Sequence, residues 1–170
     1  QPALETWLEC PVPLIDSDDP RHLVEVLSAL SAQTNAVVLA SGDPLWFGIG
    51  RILAERLGPE RLRFHPAPTC LQLAFARIGR PWQDARWVSL HGRDPEPLAR
   101  ELQTRPRALA VLTDPGRGGA DAVRRCLRSS GLEASYQLWL GENLGHADER
   151  MRLIPADAPL PEPLQPLLVA

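Results

Sequence analysis

The first half of the chain is organised around a short apolar run and the helical pattern that follows it. Residues 36–40 are all apolar, and residues 41–44 after them are typical of a tight turn. A short apolar run bounded by turn residues predicts a strand buried on both faces of a parallel sheet. Apolar side chains then recur at helical spacing over residues 45–57, with Asp43 as the predicted cap. We therefore expect a loop at the carboxyl edge of a sheet, where α/β folds bind ligands.

The same alternation of short apolar runs and helical periodicity continues along the chain. It predicts strands at residues 62–65, 85–90, 108–113 and 135–140. Helices are predicted at residues 20–30, 70–78 and 96–103, and a further one follows the loop at 114–119 and ends near residue 131. After residue 140 no helical pattern separates the predicted strands at 149–154 and 167–170. Since parallel neighbours need long crossovers, these last strands are expected to pair antiparallel. The predicted fold class is α/β, with a polar loop at 80–85 as the candidate domain boundary.

Composition and charge narrow the class of partner. The chain has 170 residues, of which 44% are hydrophobic and 23% charged. No apolar run approaches the ~20 residues of a membrane helix, so no membrane span is expected. The formal net charge is -3, and nearly all positive charge is arginine. Arginine matches carboxylate and phosphate geometry, which favours a polyanionic small molecule over nucleic acid as the ligand.

Cysteine and histidine positions argue against a metal site. Cys10, Cys70 and Cys126 are odd in number and far apart, which suggests neither a disulfide framework nor a metal site. The four histidines show no ligand spacing either. A reducing cytoplasm is the expected compartment. Because the sequence has no initiator methionine and no leader pattern, we expect Gln1 to be an internal residue of a longer polypeptide.

Several loop residues are candidates for chemistry, each with a plain structural alternative. Asp43 before Pro44 suits a ligand-binding loop, but this pair also starts helices with no functional role. Residues 114–119 can cradle an anion through backbone N–H groups or form an ordinary turn. Trp46 directly follows the first loop and is the tryptophan expected near a ligand. His91 ends a predicted buried strand, where a surface turn histidine is the common alternative.

Ten residues at 41–50, Ser-Gly-Asp-Pro-Leu-Trp-Phe-Gly-Ile-Gly, resemble the second conserved motif of the tetrapyrrole methylases, the class III S-adenosylmethionine-dependent enzymes. Residues 66–70, Pro-Ala-Pro-Thr-Cys, resemble the next motif, with Ala67 where glycine is usual. Residues 79–85, 88–93 and 141–150 resemble the branch that methylates C5 of the corrin precursor. The resemblance covers nearly the whole chain. The glycine-rich loop that opens the family's sequences has no counterpart among these residues.

The resemblance implies two α/β domains with S-adenosylmethionine as the cofactor in the cleft between them. Residues 1–84 would form an N-terminal domain with a parallel sheet that lacks its first strand and glycine-rich loop. Residues 85–170 would form a C-terminal domain with a mixed sheet. Carried over position by position, the cofactor contacts are expected at Ser41, Gly42, Asp43, Trp46, Thr69, Cys70, Thr113 and Leu144.

The implied reaction is C-methylation at C5 of a precorrin in cobalamin biosynthesis. A sulfonium methyl is already activated, so holding donor and acceptor in contact supplies most of the catalysis. A base is needed only to remove a proton afterwards, and His91 and Asp43 are the candidates. The macrocycle carries many carboxylates, for which arginine is the natural partner. The candidate substrate-binding residues are Arg80, Arg93 and Arg117.

Two other functions remain open at this point. A methylase of the same fold can act on uroporphyrinogen III, on ribosomal RNA or on the diphthamide precursor. Alternatively, the chain is a non-catalytic fragment that cannot hold the cofactor. For the leading function we expect a tetrapyrrole substrate, no nucleic-acid or membrane partner, no metal, and a homo-oligomer in the cytoplasm.

Overall fold

The computed structural model describes residues 19–31, 33–155, 158–161 and 168–169. Contacts divide the chain into two compact units, Gln1–Ala67 and Pro68–Ala170. This division lies earlier than the expected boundary at residues 84 and 85, because the segment Cys70–Ile78 packs against strands of the second unit. Within the described ranges, no helix combines the length and the apolar character needed to cross a membrane.

The described residues of the first unit include two α-helices. Helix α1 spans Pro20–Ala29, and the carboxylate of Asp19 accepts the Arg21 N–H at 2.8 Å at its start. Helix α2 spans Gly50–Leu57. The helices pack against each other, and each buries one leucine, Leu23 in α1 and Leu53 in α2. The helical periodicity of the sequence is confirmed for both.

The predicted strands of the first unit are wrong. Residues 36–40 and 62–65 have no strand conformation, and the side chains of Val37 and Leu39 are 87% and 42% exposed. An apolar run indicates a preference for burial, but a strand exists only where a neighbouring strand takes up its backbone hydrogen bonds. Among the described residues of this unit no strand lies beside either segment.

Helix α2 begins at Gly50, five residues later than the pattern predicts. The Asp43 carboxylate accepts the Leu45 N–H at 2.9 Å, so Asp43 closes a turn instead of capping the helix. The chain then wraps around the carbonyl oxygen of Pro44, which accepts the Gly50 N–H at 2.8 Å. A Cβ atom at Gly48 or Gly50 would lie 2.6 Å from that oxygen. Both glycines therefore permit a close backbone approach.

In the residues that the structure describes, the second unit has a five-stranded mixed sheet, three α-helices and two short 3-10 helices. Its elements are α3 (Cys70–Ile78), β1 (Ala85–Ser89), α4 (Glu96–Gln103), β2 (Ala108–Leu112), α5 (Gly119–Ser129), β3 (Leu138–Glu142), β4 (Arg150–Ile154) and β5 (Leu168–Val169). The strand order is β1-β2-β5-β3-β4. Strands β1 and β2 are parallel, whereas β5 pairs antiparallel with both β2 and β3, and β3 with β4. The predicted change to antiparallel pairing after residue 140 is confirmed.

The pairing gives β1, β2 and β3 the same direction, because β5 runs antiparallel to both β2 and β3. Their carboxyl ends therefore lie along one edge of the sheet. The register aligns Ser89 with Leu112 and, through β5, Leu112 with Gly141. The loops after these three strands therefore lie along the same edge, with β5 between β2 and β3.

The core of the second unit lies between the sheet and helices α4 and α5. It is a cluster of buried side chains from β1, β2 and both helices, including Val88, Leu98, Leu102, Val111 and Leu127. Strand residues alternate between faces, so Trp87 lies on the face opposite Val88. There Trp87 packs edge-to-face on Phe75 of α3, with ring centroids 5.6 Å apart. Helices thus cover both faces of the sheet.

Candidate functional site

The carboxyl edge of β1, β2 and β3 brings together the predicted site residues of the second unit. Thr113 directly follows β2, and its side chain is buried. Leu144 follows β3 and is also buried. His91 and Arg93 lie in the exposed turn after β1. Positions separated by about 50 residues in sequence thus meet at one edge of the sheet.

Asp114 joins the loops after β1 and β2. One carboxylate oxygen accepts the Gly92 N–H at 2.8 Å, and the other accepts the Gly116 N–H at 2.9 Å. The pKa of Asp114 is lowered, first by the hydrogen bond from Gly92 and further by that from Gly116 and by the charges of His91 and Arg117. Residues 114–119 therefore form a turn closed by the carboxylate and the carbonyl oxygen of Asp114.

Arg93 and Arg117 line one cavity beside these loops. The cavity has a volume of about 460 Å³ and is also lined by Asp94 and Arg125. Arg117 donates to Asp94 at 3.0 Å. The lining contains three arginines and one carboxylate, so its charge suits an anionic ligand.

The structure does not bring Arg80 to the same place. Arg80 precedes the amino-terminal end of β1, whereas Arg93 follows its carboxyl end. Its guanidinium donates to Asp84 and to the Pro81 carbonyl, each at 2.9 Å. The pKa of Asp84 is lowered, chiefly by this hydrogen bond from Arg80. Arg80 therefore has a local partner and no position near the cavity.

Thr69 and Cys70 stand at the start of α3, as the sequence predicts. Thr69 and Gln72 form a capping box: the Thr69 hydroxyl accepts the Gln72 N–H at 3.2 Å, and the Gln72 side chain accepts the Thr69 N–H at 2.8 Å. Burial raises the pKa of the Cys70 thiol, although neighbouring backbone N–H groups oppose the shift. The thiol is therefore protonated at neutral pH and can pack against a ligand without attacking it.

The loop that carries Leu144 lies against the same helix. A Cβ atom at Gly145 would come within 3.2 Å of Leu73, whose N–H donates to the Thr69 carbonyl at 3.0 Å. Leu144 itself folds back on β3, since a Cβ at Gly141 would lie 2.7 Å from its Cδ1. Gly145, the neighbour of Leu144, thus lies beside Leu73, one helical turn from the start of α3.

Two ion pairs beside this loop were not found from the sequence. Glu149 pairs with Arg77 of α3, and the fully buried Glu142 pairs with Arg152 across β3 and β4. Residues 77 and 149 are 72 positions apart, so no local pattern reveals them as partners. Glu142 and Arg152 lie on neighbouring strands whose register only the folded sheet defines.

The predicted site residues of the first unit share one loop. Gly42 has a left-handed φ of 66°, and its carbonyl accepts the Ala67 N–H at 3.3 Å. The Trp46 N–H donates to the Asp43 carbonyl at 3.1 Å, and the Trp46 ring packs edge-on against Phe47. Ser41 precedes this turn and is exposed. In the described part of the chain, no group of histidine, cysteine and carboxylate side chains is arranged to hold a metal ion.

Two curated proteins are similar to this chain in sequence. A precorrin-6Y C(5,15)-methyltransferase [decarboxylating] from Sinorhizobium sp is 40% identical over 131 residues, which are 77% of this chain and 30% of that protein. A cobalt-precorrin-7 C(5)-methyltransferase from Salmonella typhimurium is 35% identical over 122 residues, 72% of this chain and 58% of that protein. The chain thus spans well under two thirds of either relative.

A solved structure confirms the fold class. The crystal structure of the methyltransferase CobJ superposes with a TM-score of 0.68 and 22% identity, over 92% of this chain and 70% of that one. The family model of the tetrapyrrole (corrin/porphyrin) methylases matches residues 17–158. Because this match includes the loop after residue 40, α3 and the edge formed by β1, β2 and β3, the chain belongs to the tetrapyrrole methylase family.

Proposed function

We propose that the protein containing this chain transfers a methyl group from S-adenosylmethionine to C5 of a precorrin in cobalamin biosynthesis. The observation that carries the proposal is the sheet edge along which His91, Thr113 and Leu144 follow β1, β2 and β3, with Arg93 and Arg117 lining a cavity by the first two of these loops. Both relatives from Sinorhizobium and Salmonella are named for methylation at C5. The edge offers places for a cofactor and for an anionic acceptor.

The residues at the edge fit an S-adenosylmethionine molecule by their chemistry. Buried Leu144 and the protonated thiol of Cys70 offer apolar contact for an adenine ring, and the Thr113 hydroxyl offers a polar one. From the first unit, Ser41, Gly42, Asp43 and Trp46 are the proposed further contacts. Thr69, which caps α3, is a proposed cofactor contact as well. When bound, the cofactor supplies a methyl group already activated by a sulfonium centre.

The chain's own residues have two tasks in this proposal: to align the acceptor carbon and to take up a proton. We assign proton uptake from the methylated macrocycle to a ring nitrogen of His91, which is exposed at the end of β1. Asp43 is the second candidate, although one of its oxygens accepts the Leu45 N–H. Alignment contributes most, since contact geometry decides the rate of transfer from an activated donor.

Replacing Arg93 by alanine is expected to raise the KM for the precorrin about ten- to a hundredfold and to leave the affinity for S-adenosylhomocysteine unchanged. A guanidinium–carboxylate hydrogen bond contributes about 1.5–3 kcal/mol, and an interaction equal in ground and transition states appears in KM. Replacing Arg117 by alanine should have the same effect on the KM and should likewise leave the affinity for S-adenosylhomocysteine unchanged. Arg100 to alanine is the matched control, because Arg100 is 74% exposed on α4 and pairs with Glu96. Equal effects at Arg93 and Arg100 would remove Arg93 from the substrate site.

The function itself is tested by transfer of labelled methyl from S-adenosylmethionine to isolated precorrins, with uroporphyrinogen III as the competing acceptor. We expect label at C5 of the precorrin and little in uroporphyrinogen. Preferential labelling of uroporphyrinogen would assign the chain to another branch of the family. If the intact protein binds the cofactor and labels neither, the non-catalytic function is favoured.

The assembly, the compartment and the domain boundary stay predictions. A homo-oligomer in the cytoplasm is expected, with no nucleic-acid or membrane partner. Sedimentation of the native polypeptide gives the oligomeric state directly. Limited proteolysis tests the boundary at residues 84 and 85 against the division at 67 and 68 seen in the contacts.

A further inference from the structure

Glu149 holds two parts of the second unit at once. Its carboxylate receives two hydrogen bonds from the Arg77 guanidinium, from Nε at 2.5 Å and from Nη2 at 3.1 Å. One of the same two oxygens also accepts the Gly145 N–H at 2.9 Å. Arg77 lies on α3 and Gly145 on the loop after β3, so the single carboxylate connects the helix to the loop.

These contacts determine where the loop sits on the helix. Arg77 is one turn beyond Leu73 on α3, and Leu73 is the side chain that Gly145 approaches. Leu73 in turn lies one turn beyond Thr69, at the start of the helix. The contacts from Gly145 to Leu73 and to Glu149 therefore hold the loop at a set distance from Thr69. Leu144 is the residue next to Gly145 along this loop.

The rest of the loop is stiffened by its own hydrogen bonds. Asn143 adopts a left-handed φ of 49°, and its side-chain amide donates to Asp148 at 2.6 Å. The His146 N–H donates to the Asn143 carbonyl at 2.9 Å. Because these hydrogen bonds hold the loop residues to one another, the attachment of the loop to α3 determines the position of Leu144. The side chains of Arg77 and Glu149, 43% and 27% exposed, form the polar part of that attachment.

We propose that Arg77 and Glu149 are positioning residues that hold the Leu144 loop against α3 in the geometry the cofactor requires. The inference rests on the proposed function for its cofactor. The carboxylate of Glu149 is essential in two ways, as the ion-pair partner of Arg77 and as the acceptor of the Gly145 N–H. The lowered pKa of Glu149 agrees with this arrangement, its causes being the Arg77 hydrogen bond first and the Gly145 N–H second.

The two roles of Glu149 separate in a charge-swapped variant, Arg77→Glu with Glu149→Arg. The swap can restore an ion pair, but arginine has no acceptor for the Gly145 N–H. Titration calorimetry with S-adenosylhomocysteine is carried out on the native polypeptide that contains this chain, and the wild type is compared with Glu149→Ala and with the swap. We expect both variants to bind about three- to tenfold more weakly, although the swap recovers part of the Tm that Glu149→Ala loses. Backbone hydrogen exchange at Gly145 should be faster in both.

The matched control is the pair Arg128 and Glu133, which is also bidentate, at 3.1 and 2.9 Å, in the same unit. Swapping Arg128 and Glu133 should leave the cofactor affinity unchanged. Wild-type affinity in the Arg77 and Glu149 swap would overturn the loop role and leave an ion pair that only stabilises the fold. Unchanged affinity in Glu149→Ala would overturn the positioning role altogether. A wild-type protein that binds no S-adenosylhomocysteine would instead reject the proposed function, while hydrogen exchange at Gly145 still tests the contact itself.

Discussion

Replacing Glu142 by alanine should lower the free energy of unfolding by about 3 kcal/mol, since it leaves the Arg152 guanidinium without its buried partner. Glu142 is fully buried at the end of β3, and Arg152 on β4 donates to it. Breaking a buried pair costs about 3–5 kcal/mol, and the side chain of Arg152 is 33% exposed, which puts the loss at the lower end. Urea denaturation measures the change.

The double replacement Glu142→Leu with Arg152→Met should regain most of this stability, because apolar side chains of similar volume replace a buried pair at little cost. Glu96→Ala is the control for an exposed pair, as Glu96 is 76% exposed beside Arg100. Its expected loss is below about 0.5 kcal/mol. If the double replacement were as unstable as Glu142→Ala alone, the unpaired charge would not be the cause of the loss.

Gly50 to alanine should destabilise the first unit by about 1–3 kcal/mol, although helix propensity alone predicts a gain of up to about 1 kcal/mol. The new Cβ would lie 2.6 Å from the Pro44 carbonyl oxygen and 2.9 Å from the Phe64 ring. Backbone atoms of the turn cannot rotate away as a side chain can. Because Pro44 follows Asp43 in the proposed cofactor loop, weaker binding of S-adenosylhomocysteine should accompany the loss.

Ala54 to glycine in the same helix calibrates the effect of propensity. It should lose about 1 kcal/mol, as expected for glycine in a helix interior. If propensity governed both positions, the two substitutions would have opposite signs, whereas a steric cause at Gly50 makes both destabilising. A stabilised Gly50→Ala variant would therefore contradict the contact with Pro44.

The second unit could be predicted closely because its signals are local. Helix α4 spans Glu96–Gln103, as its periodicity predicts, and α3 begins at Cys70 behind a Thr69 cap that the sequence already marks. The change to antiparallel pairing after residue 140 could be predicted because no helical pattern separates the strands there, and a short connection cannot join parallel neighbours. In these cases the residues that determine an element are contained in it or border it.

In the first unit the same reasoning gave wrong predictions, because a strand forms only where a second segment pairs with it. The apolar run at residues 36–40 has the composition of a strand, yet pairing is a property of two segments. The helix after Pro44 was predicted too early for a related reason. The pattern shows which side chains are apolar, but the turn around the Pro44 carbonyl depends on how closely Gly48 and Gly50 approach it.

By itself, the amino-acid sequence determined the alternation of strands and helices in the second unit, the capping of α3 and the motif positions of the family, because each depends on residues near one another in the chain. Only the tertiary structure decided that Arg93 and Arg117 share a cavity from which Arg80 is distant. It also decided that Glu149 connects α3 to the loop of Leu144. Such contacts join residues tens of positions apart, and strand order and register, which no local pattern encodes, bring them together.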